Sequence, residues 1–400
     1  MTMDLLADAR ALGDELIAFR RQLHADPEVG LELPRTQRRV LAALDGLPLE
    51  VRTGDRLSSV TAVLRGARPG PTVLLRGDMD ALPVREETGL DYASVNGAMH
   101  ACGHDLHTAA LVGAARLLSA RQDELAGDVV FMFQPGEEGW DGAGLMISEG
   151  VLAASGRTPV AAYALHVSTE HSLGTFHSRT GTLMAGSATV EAVVKGAGGH
   201  GALPHRAKDP VPVAAELVTA LQTLVTRKFD VFDPLVVSVG RLRAGEALNV
   251  IPAEAELGAT VRAFSPEVLR QAEDDILRLI RHVTEAHGLG VSVDFAQQYP
   301  PTITDGAETA FAAETVRQLF GDGSWFETRP LPGSEDFSRV LAEVPGGFVF
   351  VGARDARLDD GLVAPNHSPL AVFDDTVVAD CAALLAGLAL GRLEAATAGR

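Results

Sequence analysis

Ala98-Met-His-Ala-Cys-Gly-His-Asp-Leu-His107 is the stretch around which the rest of the chain is organised. Its ten residues include three histidines, an aspartate and one of only two cysteines. Cys102 and His104 lie two residues apart, and Gly103 lets the backbone bend tightly enough for both side chains to reach one centre. A thiolate with an imidazole suits zinc or a neighbouring transition metal, not magnesium or calcium. A buried cysteine beside ordinary surface histidines is the alternative, so other signals are needed to choose.

Length and composition indicate a globular protein of two or three domains. The chain has 400 residues, and its apolar fraction of 46% can fill sizeable cores. The formal net charge of −19 argues against a nucleic-acid or anionic-membrane partner. A local arginine can still hold a small anionic substrate.

The two cysteines give no disulfide framework, and the acidic N-terminus is unlike a signal peptide. No apolar run is long enough to span a bilayer. We therefore expect a cytoplasmic protein with no membrane partner, in which a reducing environment keeps Cys102 available as a thiolate.

The first part of the chain alternates helical and strand patterns, which is typical of an α/β domain with a largely parallel sheet. The periodicity predicts helices over about residues 4–25, 35–44 and 106–118. Short apolar runs predict strands at residues 73–76, 129–133 and 160–165. We predict the α/β fold class, with a mostly parallel sheet in this domain.

The pattern changes after about Met184. Strands and helices then follow the order β-α-β-β-α-β, which is the ferredoxin-like signature. The predicted elements are the strand 189–195, the helix 211–227, the strands 235–240 and 254–263, a helix from Pro266 to near Gly288, and the strand 291–295. We predict a first domain over residues 1–183, an inserted α+β domain over 184–296 that serves as a lid and dimerisation domain, and a return to the first domain over 297–400.

Acidic and histidine side chains follow three of the predicted strands. They are Asp78 and Asp80, Glu137 and Glu138, and His166. In open α/β sheets, ligands bind at the carboxyl edge of the strands. These side chains are therefore expected to meet the segment from Cys102 to His107 in one crevice.

The candidate metal ligands are Cys102, His104, Glu138, His166 and His367. One ion needs about four ligands, so the set suits two ions that share a bridging water and act on a carbonyl oxygen. Of two adjacent glutamates, one can bind metal while the other serves as general base. The residues alone leave open which does which. Taken singly, the Glu137-Glu138 pair also fits a solvated turn, His166 a core histidine and His367 a turn residue, and the agreement among them favours the metal site.

A glycine-rich run at residues 196–201 matches the dinucleotide-binding pattern G-x-G-x-x-G. That pattern requires a helix to open directly after it. Pro204, Pro210 and Pro212 intrude instead. We therefore predict no nucleotide site there.

Motifs along almost the whole chain resemble those of the M20 metallopeptidase family. The resemblance lies in its amidohydrolase branch, which includes hippurate hydrolases, N-acyl-amino-acid amidohydrolases and auxin-conjugate hydrolases. The matching segments are residues 20–24, 77–83, 99–105, 134–139, 198–205, 249–252, 333–337 and 367–369.

The resemblance implies a role for each candidate residue. Cys102 would bridge two divalent transition-metal ions (manganese, zinc, cobalt or nickel), and the other four ligands would complete the site. Glu137 would be the general base, and Asp80 would orient a ligand. His200, in its own chain or across a homodimer formed through the inserted domain, would donate to the oxyanion. Asn249 and Arg262 would hold the substrate carboxylate, because the fork of an arginine binds a carboxylate bidentately.

The sequence thus predicts a dinuclear amidohydrolase that cleaves the amide of a small N-acyl amino acid with a metal-activated water. Two alternatives stay open: a hydrolase that uses Cys102 as nucleophile, and a non-catalytic protein that binds metal or a conjugate.

This chain also departs from the family pattern. Gly77 and Gly136 stand where alanine is common, an aspartate is missing near residues 184–188, and Trp140-Asp141 replaces a glycine-rich run. A tryptophan there could narrow the acyl pocket.

Overall fold

The computed structural model describes residues 2–355 and 363–398, and the chain divides into two compact units. The first unit comprises Met1–Leu183, Ile303–Arg329 and Arg339–Arg400. The second comprises Met184–Thr302 and Pro330–Ser338.

The helices, in chain order, are α1 (Thr2–Ala11), α2 (Gly13–His24), α3 (Pro34–Leu44), α4 (His104–Ser119), α5 (Gly142–Ser148), α6 (Pro210–Lys228), α7 (Pro266–Ala286), α8 (Gly306–Phe320), α9 (Ser338–Glu343) and α10 (Val377–Ala398). As far as the described residues reach, none of these helices has both the length and the apolar character that a bilayer crossing requires.

The strands are β1 (Leu49–Thr53), β2 (Val60–Leu64), β3 (Arg68–Asp78), β4 (Ala126–Gln134), β5 (Ala161–Ser172), β6 (Phe176–Ser178), β7 (Gly181–Met184), β8 (Gly186–Lys195), β9 (Gly199–His200), β10 (Leu235–Ala244), β11 (Val250–Ile251), β12 (Glu254–Ala263), β13 (Gly290–Tyr299), β14 (Thr302–Thr304), β15 (Trp325–Glu327) and β16 (Gly346–Arg354).

The first unit contains an eight-stranded sheet in the order β1-β2-β4-β3-β5-β16-β6-β15. Its centre is parallel, because β3 pairs in parallel with β4 and β5, and β5 with β16. The antiparallel pairs lie toward the edges, at β1–β2, β2–β4 and β16–β6. The predicted α/β class with a largely parallel sheet is confirmed.

Helix α4 lies in the core of this unit and is buried on almost every side. Gly113 is the point of closest packing. A Cβ at that position would lie 2.8 Å from the Cβ of Ala382 on α10 and 2.8 Å from Cδ1 of Leu16 on α2. A glycine there lets both helices approach α4 closely, and this packing fixes the helix whose first residue is His104.

The second unit is a four-stranded antiparallel sheet in the order β10-β12-β8-β13. With α6 and α7 in the chain order β8-α6-β10-β12-α7-β13, it has the predicted ferredoxin-like topology. Helix α7 begins as its sequence predicts: the side chain of Ser265 accepts a hydrogen bond from the Val268 N–H, and Pro266 is the first helical residue.

Two of the differences from the predicted element boundaries have a clear physical cause. The helix expected over residues 4–25 is two helices, α1 and α2, which are separated at Leu12 directly before Gly13, and glycine is a poor helix former. Strand β5 continues to Ser172, so His166 lies inside it and does not close it. The pairing of β5 with β3 ends at Ala164, whereas its pairing with β16 continues through His166 and beyond. The neighbouring strand β16 therefore keeps this segment extended.

Candidate metal centre

The five predicted metal ligands come together at the carboxyl edge of the central strands. Their ligand atoms form two groups, and within each group these atoms lie within 4.8 Å of one another. The groups are Cys102 with His104 and His166, and Cys102 with Glu138 and His367. Cys102 thus belongs to both groups, as a bridging thiolate would.

The distances around Cys102 are short. Its Sγ lies 3.2 Å from Nε2 of His166 and 3.3 Å from Nε2 of His367. Oε1 of Glu138 lies 3.2 Å from Nε2 of His367 and 3.9 Å from Nε2 of His104. The sulfur, nitrogen and oxygen donors are therefore close enough to share one or two cations.

Backbone carbonyls orient two of the imidazoles. Nδ1 of His104 lies 2.9 Å from the carbonyl oxygen of Asp80, and Nδ1 of His166 lies 2.8 Å from that of Val167. A carbonyl oxygen only accepts hydrogen bonds, so each Nδ1 carries the proton. Each Nε2 then presents its lone pair, which is the form that binds a metal.

Nε2 of His104 is buried without a hydrogen-bond partner, and the buried Oε1 of Glu138 lies 3.2 Å from Nε2 of His367. Buried polar atoms are normally paired, because an unpaired one loses its interaction with water without replacement. A cation beside Nε2 of His104 would give it a partner. Thiolate, imidazole and carboxylate donors fit zinc or a neighbouring divalent transition metal.

The charges of the site also favour a cation. Burial alone would lower the pKa of His104, but the negative charges of Asp78 and Cys102 raise it well above its usual range. Hydrogen bonds to Cys102 and Glu138 raise the pKa of His367 to about 10. Both imidazoles thus lie among negative groups that stabilise positive charge.

Asp80 holds the loop that carries the two glutamates. Its Oδ1 accepts a hydrogen bond from the Glu137 N–H (3.0 Å), and its Oδ2 accepts one from the Glu138 N–H (3.1 Å). Gly136 makes the turn into this loop with φ of 73°, and a Cβ there would lie 2.5 Å from Cδ2 of Leu31. The glycine at residue 136 is therefore required by this backbone, and alanine would not replace it without strain.

Glu137 is buried and lies beside the candidate ligands. One of its carboxylate oxygens is within 4.8 Å of a ring nitrogen of His104 and a carboxylate oxygen of Glu138.

Gly103 gives the Cys102–His104 segment the sharp bend that the sequence predicts. Its φ is 90°, and a Cβ there would lie 2.3 Å from Cγ2 of Val167. No side chain fits at this point, so the bend brings the loop directly against β5.

His367 adopts a backbone conformation that is uncommon for a residue with a side chain. Its φ is 72°, and its N–H donates to the carbonyl oxygen of Ala101 (2.8 Å). The amide of Asn366 donates to the carbonyl oxygens of Cys102 (3.2 Å) and Val167 (3.0 Å). Such conformations cluster at functional sites, where the surrounding contacts hold them.

The structure explains the motif at residues 20–24, to which the sequence assigned no role. Asp105 follows His104 directly and is fully buried. Its Oδ2 lies 2.7 Å from Nε of Arg20 and 2.7 Å from Nδ1 of His24. This network holds the first turn of α4 and, with it, the candidate ligand His104.

Three predicted residues, His200, Asn249 and Arg262, belong to the second unit. His200 and Asn249 are exposed neighbours, since His200 pairs with Val250 between β9 and β11. Nδ1 of His200 accepts a hydrogen bond from the Ala202 N–H (3.0 Å). Arg262 is half-buried, and burial lowers its pKa. Within the described residues no acidic side chain forms an ion pair with Arg262.

The fold and this donor set together define a class, the metal-dependent hydrolases with an α/β catalytic domain. Comparisons with known proteins give the family. Residues 74–391 match the model of peptidase family M20/M25/M40.

Three individual proteins are similar over almost their whole length. The chain is 37% identical over 389 residues to IAA-amino acid hydrolase ILR1-like 5 from Arabidopsis thaliana, covering 96% of this chain and 88% of the relative. It is 33% identical over 387 residues to N-acetylcysteine deacetylase from Bacillus subtilis (96% and 98% covered). The crystal structure of the Bacillus subtilis YXEP protein, a dinuclear metal binding peptidase from the M20 family, is similar with a TM-score of 0.82 and 32% identity (96% and 99% covered).

The chain therefore belongs to peptidase family M20/M25/M40 and is a metal-dependent hydrolase of linear amides. The resemblance and the enzyme class predicted from the sequence are confirmed.

Proposed function

We propose that this enzyme hydrolyses the amide bond of N-acyl amino acids with two divalent metal ions per chain. The observation that carries the proposal is the pair of ligand groups that share Cys102, with Glu137 beside them. The similarity to an N-acetylcysteine deacetylase and to a hydrolase of IAA-amino acids supports this substrate class.

The metal ligands in this proposal are the five residues that the sequence predicts. His104 and His166 would hold one ion with Cys102, and Glu138 and His367 would hold the other. Bound divalent ions would polarise the substrate carbonyl and lower the pKa of a water molecule. Manganese, zinc, cobalt and nickel remain the candidate metals.

Glu137 is the proposed general base. Its carboxylate lies within 4.8 Å of the ligand atoms of His104 and Glu138. Asp80 holds the loop in place by accepting a hydrogen bond from the Glu137 N–H. Glu137 takes a proton from the attacking water as the C–O bond forms. It then gives that proton to the amide nitrogen as the C–N bond breaks, which releases a carboxylic acid and an amino acid.

The proposed oxyanion donor is His200. Because its Nδ1 accepts the Ala202 N–H, a neutral ring carries its proton on Nε2, which is left to donate. Removing one oxyanion donor typically costs ~10²–10³-fold in kcat. We expect His200→Ala to lose kcat on this scale while its metal content stays unchanged, as measured by steady-state kinetics and elemental analysis.

Domain arrangement and subunit contacts belong to the same proposal. The predicted catalytic domain covers residues 1–183 and 297–400, and the compact units differ from this division in that residues 297–302 and 330–338 belong to the second unit. We propose the inserted domain, predicted over 184–296, as the contact in a homodimer. If a partner chain supplies His200, mixing inactive His200→Ala with inactive Glu137→Gln should restore activity, because some mixed dimers hold one site with both residues intact. Differently tagged chains must show that subunits exchange. Exchange without recovered activity would assign His200 to its own chain.

The proposed carboxylate-binding residues are Arg262 and Asn249. Arg262→Met should lower kcat/KM about 10–100-fold for an N-acetyl amino acid, because hydrogen bonds to charged groups contribute about 1.5–3 kcal/mol. For the same substrate with its carboxylate converted to a neutral amide, the variant and the wild type should differ little. Arg241→Met is the matched control, since Arg241 lies on the adjacent strand β10 and pairs with Glu191. Equal losses on both substrates would contradict carboxylate recognition.

A substrate panel tests the reaction itself. Metal-reconstituted enzyme should hydrolyse acetyl-, benzoyl- or indoleacetyl-amino acids, followed by release of the free amine. Unblocked dipeptides serve as the comparison. Turnover of dipeptides alone would overturn the N-acyl assignment, and absence of turnover on every member would favour a binding protein.

The cysteine-nucleophile alternative has some geometric support, because Sγ of Cys102 lies within hydrogen-bond reach of His166. It leaves Nε2 of His104 buried without a partner and gives Glu138 no function. A chelator distinguishes the two mechanisms, since only the metal-dependent one should lose activity.

A further inference from the structure

We propose that His107 is a positioning residue that holds the strand segment of His166 in place for metal binding. The inference rests on the proposed role of His166 as a ligand. His107 is fully buried and lies one helical turn after His104 on α4.

Both ring nitrogens of His107 are engaged. Its Nε2 accepts a hydrogen bond from the N–H of Val167 at 2.8 Å, and its Nδ1 lies 2.6 Å from Oδ1 of Asp78. Because Nε2 is the acceptor, the ring proton is on Nδ1 and is donated to Asp78. No lone pair of His107 is left for a metal.

Asp78 is in turn held by two hydrogen bonds from neighbouring side chains. Its Oδ2 accepts from Nη1 of Arg76 at 2.6 Å, and its backbone carbonyl accepts from the hydroxyl of Thr108 at 2.6 Å. Arg76 is fully buried and reaches Gln134 through its Nε. A continuous chain of polar contacts thus runs from β3 and β4 through His107 to the Val167 N–H.

The hydrogen bond from the Val167 N–H lies where strand β5 no longer pairs with β3. Strand β3 pairs with β5 only as far as Ala164. Beyond that point, within the residues that the structure describes, β5 pairs with β16 alone, and His107 supplies a hydrogen bond on the other side, at the residue after His166. The carbonyl of the same residue, Val167, is the one that orients the His166 ring.

The ring of His107 also lies beside those of both neighbouring ligands. Its centroid is 4.7 Å from that of His166 and 5.4 Å from that of His104. The rings of His104 and His107 are buried, and that of His166 is half-buried. His107 therefore supports the ligand group of Cys102, His104 and His166, and not the group that contains His367.

Two substitutions separate the contacts of His107. The amide of asparagine reaches the position of Nδ1, so His107→Asn keeps the contact to Asp78 and loses the acceptor for Val167. The amide of glutamine reaches the position of Nε2, so His107→Gln restores that acceptor. Tyr163→Phe is the matched control, because it removes a buried hydrogen bond, to Glu308, from the same strand.

The experiment titrates each metal-free protein with Co²⁺ against a competing chelator, and follows the thiolate–cobalt absorption together with the melting temperature. His107→Asn should weaken one of the two ions about 10–100-fold, the usual cost of losing an outer hydrogen bond to a metal site. The second ion should bind as in the wild type. His107→Gln should recover most of the lost affinity, and Tyr163→Phe should lower the melting temperature with both affinities unchanged.

Two results would overturn the positioning role. One is wild-type affinity for both ions in His107→Asn. The other is an equal loss in His107→Gln and His107→Asn, which would indicate that the imidazole itself is a ligand. The variant His166→Ala tests the proposed ligand role of His166 separately from the positioning role of His107. If it retains both ions, the assignment of His166 fails, whatever the His107 variants do.

Discussion

Glu137→Gln enzyme is expected to keep its metal ions and to lose turnover by about 10²–10⁴-fold. The carboxamide has nearly the shape of the carboxylate but cannot accept the proton of the attacking water. The hydrogen bond from the backbone N–H of residue 137 to Asp80 does not involve the changed group, so the loop should stay in place. Steady-state kinetics on an N-acyl amino acid and elemental analysis of the same sample measure both quantities.

Glu138→Gln is the matched control for this result. It changes the adjacent residue in the same loop but removes a proposed ligand, so it should lose metal as well as turnover. Near-full activity in metal-loaded Glu137→Gln would show that the general base is another residue. Loss of metal from Glu137→Gln equal to that from Glu138→Gln would make Glu137 a ligand.

Cys102→Ala is expected to lose both metal ions and all measurable hydrolysis. The thiolate belongs to both ligand groups, so one substitution takes a donor from each ion. The remaining ligands, two imidazoles at one position and an imidazole with a carboxylate at the other, fall short of the three protein ligands typical of a catalytic zinc site.

Cys381→Ala controls for the loss of a buried thiol. Cys381 is fully buried in α10, and burial raises the pKa of its thiol well above its usual range. Its substitution should leave metal content and activity unchanged. If Cys102→Ala retains two ions per chain but loses activity, a nucleophilic role for Cys102 would replace the bridging role.

Periodicity predicted the fold well where one physical requirement dominates. The apolar runs that became β3 and β4 are buried on both faces, and the order of elements after Met184 fits only one familiar topology. The prediction was less accurate at His166, because the end of β5 depends on its pairing with β16 and not on its own residues.

The five candidate ligands could be selected from the sequence because each carries its chemistry in its residue type, and the structure brings them together. The supporting residues could not be selected in this way, since their partners are distant in the sequence. Asp105 meets His24, which lies 81 positions away, and His107 meets Asp78 and a backbone N–H on β5. One signal was present: His104 and His107 are three residues apart, although the predicted helix began only at residue 106, and on the observed helix α4 the two share one face.

Metal re-addition to the metal-free enzyme tests the central claim most directly. Activity on an N-acyl amino acid is measured as Mn²⁺, Co²⁺ or Zn²⁺ is added in known amounts per chain. We expect no activity in metal-free protein and a rise to a maximum at about two ions per chain, as a dinuclear site requires. Full activity in rigorously metal-free protein would contradict the account.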